Sequence, residues 1–139
     1  MTDVAAMLNA YPGERPQMDE DTLVICIQEA LNCAQACIAC ADACSAEPSA
    51  AHLARCAGAA LNCADIATAV VRVLSRSTSY NRDVTVTALR ALDEACRACY
   101  GQCREHALEI ESCRIGGDAC RRCAQACQRL LSRMDAVGS

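Results

Sequence analysis

The cysteines of this chain are spaced for a helix. Residues 32–44 read NCAQACIACADAC, which places thiols at Cys33, Cys37, Cys40 and Cys44 in the order CxxxC, CxxC, CxxxC. At 100° per residue these four fall within an arc of roughly 60° and climb roughly 16 Å along an α-helical axis. Such a stripe can bind soft metal ions, exchange disulfides or simply pack, so the test is whether the remaining cysteines repeat it. Cys26 extends the same stripe, and Cys56 and Cys63 lie roughly 20° apart on a second segment. Cys96, Cys99 and Cys103 span roughly 60° on a third segment, and Cys113, Cys120, Cys123 and Cys127 span roughly 80° on a fourth. A chance scatter would occupy every side of each helix, so all fourteen cysteines are expected to face one interior.

The elements that must hold these stripes are legible between the breakers. Asp3 opens a short helix over residues 3–10, and YPGERP turns the chain. A first long helix is expected from Asp19 to Ser45, with Asp19, Glu20 and Asp21 at the positive end of its dipole. Pro48 marks the start of a second, running to Ser75. A third is expected from Arg82 to Leu108 and a fourth from Glu111 to Met134, its start weakened by Gly116 and Gly117. Short loops between long helices predict an all-α chain: an antiparallel up-down four-helix bundle over residues 19–135, preceded by a short N-terminal helix and turn over residues 1–18. CAQAC occurs at 33–37 and 123–127, and LNCA at 31–34 and 61–64, which suggests a duplicated helical unit.

Antiparallel packing sorts the rest of each stripe. Leu23, Ile66, Val70, Leu74, Leu89, Leu92, Leu131 and Met134 gather at one end as an apolar plug. The other end carries Cys44, Cys56, Cys103 and Cys113, and both histidines, His52 and His106, are expected at that mouth. Imidazole can also bind soft and borderline metals, so the pair is read as a point of metal entry or auxiliary ligation, against the plainer reading of surface histidine. Asn32 and Asn62 read as helix-surface residues, and Met7 as packing for the short first helix. Val24, Ile27, Leu31 and Ile38 form a second apolar stripe on the back of the first long helix, to be covered by Val4, Met7 and Leu8 or by another subunit.

Composition excludes several classes. The net charge is −4 at pH 7 and the arginines are scattered, so no nucleic-acid footprint is expected. The N-terminus lacks an export signal and no stretch reads as a membrane span, which together predict a cytoplasmic protein with no membrane partner. In a reducing compartment fourteen thiols point to metal rather than to bridges. Inward carboxylates and Glu-x-x-His pairs for a di-iron site are missing, and iron–sulfur ligands usually come from irregular loops. Four thiolates around Zn(II) leave two uncompensated charges in a dry core, whereas one Cu(I) per thiolate is neutral and suits a soft ligand. A zinc or redox thiol buffer and a disulfide-braced helical interaction module remain the alternatives.

NCAQACIACADAC, ACRACYGQC and ACRRCAQAC, on the first, third and fourth of four long helices, resemble the bacterial copper storage proteins of the cytosolic branch, over about residues 19–134. The resemblance implies a cysteine-lined bundle holding many Cu(I) ions, without enzymatic activity, assembled as a homotetramer and taking up copper at an end bearing His or Met. It implies as copper ligands Cys26, Cys33, Cys37, Cys40, Cys44, Cys56, Cys63, Cys96, Cys99, Cys103, Cys113, Cys120, Cys123 and Cys127, with His52 and His106. This chain departs from the richest members in having only two cysteines on its second long helix.

Overall fold

A computed structural model describes residues 2–138, with side chains to residue 136. Helix α1 spans Val4–Asn9, α2 Glu20–Ala46, α3 Ala54–Leu74, α4 Arg82–Arg104 and α5 Glu111–Gly138; a 3₁₀ turn, Ala50–Leu53, precedes α3. No strand occurs among the described residues.

Local chemistry sets the helix ends. The Asp19 carboxylate accepts from the Thr22 amide at 3.0 Å, capping α2, and this bond holds the carboxyl below its ordinary pKa. The Asn81 side chain does the same for α4 through the Val84 amide, at 3.1 Å. After Pro48 the backbone tightens, with Ala50 N–H donating to Glu47 O and His52 N–H to Ser49 O, so α3 proper begins later than the proline suggests. Helix α4 stops at Arg104 rather than running to Leu108, because the chain turns with His106 N–H donating to Cys103 O at 3.1 Å. No Gly or Pro marks that stop. Helix α5 carries Gly116 and Gly117 without interruption and extends past Met134. Two glycines inside a helix cost about 1 kcal/mol each relative to alanine, so they demand a packing reason.

The four long helices form a closed square: α2 packs on α3 and α5, and α4 on α3 and α5. Directions alternate, since Cys44 near the end of α2 meets Cys113 near the start of α5, while Arg82 at the start of α4 pairs with Asp135 near the end of α5. Leu23, Val70, Leu74, Leu89, Leu92 and Met134 are buried together at one end. On α5 the plug leucine is Leu130, fully buried, and Leu131 is only half-buried, because the 123, 127, 130, 134 progression keeps to one face. Ile66 is likewise half-buried.

The back stripe of α2 divides. Leu8 is buried beside Ile27, with Val4 and Val24 half-buried, whereas Leu31 is 41% and Ile38 54% exposed. Met7 does not pack α1 as expected but is 68% exposed. Against expectation, two segments, Glu20–Ala46 and Ala50–Leu74, are long and apolar enough to cross a membrane by length and composition. Leu, Ile and Val supply most of this hydropathy and Ala and Cys the rest, and 39% and 33% of the two windows are buried within the bundle.

Candidate metal centre

Each wall of the bundle delivers thiols to one axis. Helix α2 supplies Cys26, Cys33, Cys37, Cys40 and Cys44, α3 supplies Cys56 and Cys63, α4 supplies Cys96, Cys99 and Cys103, and α5 supplies Cys113, Cys120, Cys123 and Cys127. Every one is buried, with at most 2% of its surface exposed, and all are free thiols. The helical period accounts for this: spacings of three, four and seven residues keep a side chain on one face, and that face points inward.

The sulfurs form two connected networks rather than isolated pairs. Cys37 and Cys120 lie 3.4 Å apart, Cys33 and Cys63 3.6 Å, Cys63 and Cys96 3.5 Å, and Cys33 and Cys37 3.8 Å. Toward the mouth, Cys56 and Cys103 are 3.4 Å apart, Cys44 and Cys113 3.8 Å, and Cys56 and Cys113 3.9 Å. A disulfide would need about 2.05 Å. Among the described residues, three sets have all donor atoms within 4.8 Å of one another: Cys33–Cys37–Cys63–Cys120, Cys40–Cys44–Cys56–Cys113 and Cys33–Cys96–Cys123. Cys33 belongs to two of them. Cys103 joins the mouth set to the deeper half, touching Cys56 and, at 3.8 Å, Cys99.

Proton sharing divides the column. Cys40 is held down to about 6, chiefly by a hydrogen bond from the Cys103 thiol, and Cys99 to about 5, by Cys103, Cys120 and Cys37. Cys33 and Cys63 are also lowered, each first by Cys120. Their donors hold protons more firmly: Cys103 and Cys120 are raised because they donate to those thiolates. Cys44 is pushed up to about 12 by burial and by the charge on Cys40. No Lys, Arg, Asp or Glu is among the buried residues described. The arginines lie outside, and several pair with carboxylates, as Arg122 with Glu29 at 3.3 Å. Negative charge accumulated on the sulfurs can therefore be neutralised only by protons or by bound cations.

The histidines do meet. Their ring centroids lie 5.5 Å apart at 82°, His52 on the 3₁₀ turn and His106 on the turn after α4. His52 is exposed and His106 half-buried, and neither belongs to a compact donor set among the described residues. Leu53, beside His52, is fully buried, and Ile110 packs on the same core, so the thiols of the mouth lie beneath apolar cover. Asn32 and Asn62 are exposed, as surface residues would be. Sequence reasoning missed Leu53 and Ile110, which stand in turns where no periodicity points them inward, and it missed why α5 carries Gly116 and Gly117. A side chain built at either would press on Cys40 or Cys103; the only signal was their position on the inward face between Cys113 and Cys120.

The copper storage protein family model matches residues 19–132. This chain belongs to the copper storage protein family. Its structure is similar to that of the copper storage protein of Streptomyces lividans loaded with ten copper equivalents, with TM-score 0.92 and 45% identity over 94% of this chain and 98% of that one. It is also similar to a cytosolic copper storage protein from the same organism carrying five coppers, with TM-score 0.79 and 48% identity over 81% and 93% of the two chains. A histidine-to-alanine variant of the Streptomyces lividans protein gives TM-score 0.83 and 47% identity over 84% and 98%. No curated protein sequence matches the chain.

Proposed function

We propose that this chain stores Cu(I) in the cytosol, holding many ions on the cysteine thiolates of its core and so limiting copper toxicity, without catalysing a reaction. The observation that carries this reading is the buried sulfur path sheathed by four helices, whose two networks have neighbours 3.4 to 4.0 Å apart, in a member of the copper storage family. A thiolate on such a path can bridge two soft ions, and one monovalent ion per thiolate leaves the dry core neutral. All fourteen cysteines act as ligands. His52 and His106 pass copper across the cover at the mouth, imidazole being a competent copper ligand. Residues 19–135 form the container, residues 3–10 cover part of the back of α2, and the exposed Leu31 and Ile38 face a neighbouring subunit in a tetramer.

One observation favours a second reading. A tetrahedral zinc site with Zn–S of about 2.3 Å has S···S edges of about 3.8 Å, close to the spacings within the two four-thiol sets. Each Zn(II) in such a set would leave two negative charges in a core with no cation to offset them.

An anaerobic titration of reduced protein with Cu(I) against a chromophoric chelator, run beside one with Zn(II), decides between them. The expected result is tight copper uptake approaching one ion per thiol. Saturation after about two or three metals, with zinc preferred, would replace copper storage by zinc buffering.

A further inference from the structure

Two glycines stand inside α5 where its thiol stripe would continue. Cys113 and Cys120 are about two turns apart, and Gly116 and Gly117 lie between them, both buried. Backbone geometry does not require glycine here, since the helix is regular through them and no described glycine has a positive φ. What these positions lack is a Cβ. One built on Gly116 would stand 3.1 Å from Cys40 Cβ and 3.2 Å from its Sγ, and one on Gly117 would stand 3.2 Å from Cys103 Cβ. Gly58 and Gly101, also helical, would meet nothing within 4 Å.

Cys103 is the thiol through which the two halves of the column meet, since its neighbour Cys99 shares protons with Cys120 and Cys37, and Cys40 is its hydrogen-bonded partner in the mouth set. Cys40 belongs to the mouth set, and Cys103 reaches both Cys56 of that set and Cys99 of the deeper half, at 3.4 and 3.8 Å. An ion moving inward by exchange between neighbouring sulfurs passes this pair, and each transfer requires a sulfur to swing about its Cα–Cβ bond. Close packing in a protein interior leaves little room for that. A wall lacking two Cβ atoms supplies it.

We propose that Gly116 and Gly117 are positioning residues of the copper column, leaving Cys40 and Cys103 the room to hand Cu(I) from the mouth set to the deeper set. This rests on the copper-storage reading above. A Cβ at either position asks its neighbour to shift by only a few tenths of an ångström, and alanine is the better helix former, so the variants are expected to fold.

The test is stopped-flow anaerobic Cu(I) loading of Gly116→Ala and Gly117→Ala, with Gly58→Ala and Gly101→Ala as controls. In the first two, the early equivalents should bind at the wild-type rate and the later ones about tenfold or more slowly, with helix content and thermal midpoint kept; the controls should load as wild type. Ag(I), a larger soft monovalent ion, should be slowed more than Cu(I) in the same variants. Wild-type rates for both Gly116→Ala and Gly117→Ala would overturn the proposal, as would equal slowing of every equivalent or of the controls. Should Gly116→Ala lose helix by circular dichroism, Gly117→Ala decides alone. Wild-type protein that binds only a few coppers would instead remove the storage reading, a result distinct from any of these.

Discussion

The two halves of the bundle share four helices and differ in what those helices turn inward. At one end Leu23, Val70, Leu74, Leu89, Leu92, Leu130 and Met134 fill the space with branched and thioether side chains. Over the rest of its length the same faces present cysteine, with alanine and glycine beside it. The apolar end has hydrophobic burial as its driving force, at about 25 cal/mol per Å² removed from water. The thiol end buries small side chains whose value lies in chemistry. Folding and metal binding are thereby assigned to different stretches of the same helices, and the apo bundle has a core that does not depend on copper.

That division can be broken most directly in the plug. Leu89→Ala or Leu92→Ala should lower the stability of the apo protein by roughly 2–5 kcal/mol, read from urea denaturation. Cys99→Ala, equally buried but small, should cost well under half of that. Equal losses at both ends would mean that the thiol column carries the fold.

Among the thiols the contrast sharpens by connectivity. Cys33→Ala removes a sulfur shared by two compact sets and should lower copper capacity by more than one ion, whereas Cys26→Ala, outside all three sets, should remove about one. Copper counted per chain after gel filtration distinguishes these outcomes.

Acid should act through the same sulfurs. Cys44, pushed up to about 12, and the raised Cys103 and Cys120 hold their protons at neutral pH, so each copper that binds there displaces one. Cys40 and Cys99, held near 6 and 5, are thiolates at pH 7 and reprotonate only below those values. Affinity should therefore weaken about tenfold per pH unit for each proton displaced as pH falls from about 8, with further loss below pH 6 as Cys40 and then Cys99 protonate. Chelator competition at several pH values measures the slope, and a flat profile would contradict it. The smallest effect is expected at the mouth, where His52→Ala with His106→Ala should slow copper loading about threefold at unchanged capacity. A loss of capacity would make the histidines storage ligands instead.

Much of this molecule was legible before its coordinates. Cysteine spacings of three, four and seven residues place every thiol on an inward face because the α-helix has a fixed period, and the breakers at YPGERP, Pro48 and SRSTSYN separate the helices. Period and breakers together settle the fold class and which residues line the interior, and the thiol donors set the soft character of any cargo. Tertiary structure alone decided which sulfurs become neighbours, since a contact such as Cys37 to Cys120 joins residues far apart in the chain and depends on how two helices are offset along their axes. It also decided that α4 ends at Arg104, that Leu53 closes over the mouth, and that Gly116 and Gly117 face Cys40 and Cys103. Local sequence carries the period of a helix; the register between helices exists only once their surfaces interlock.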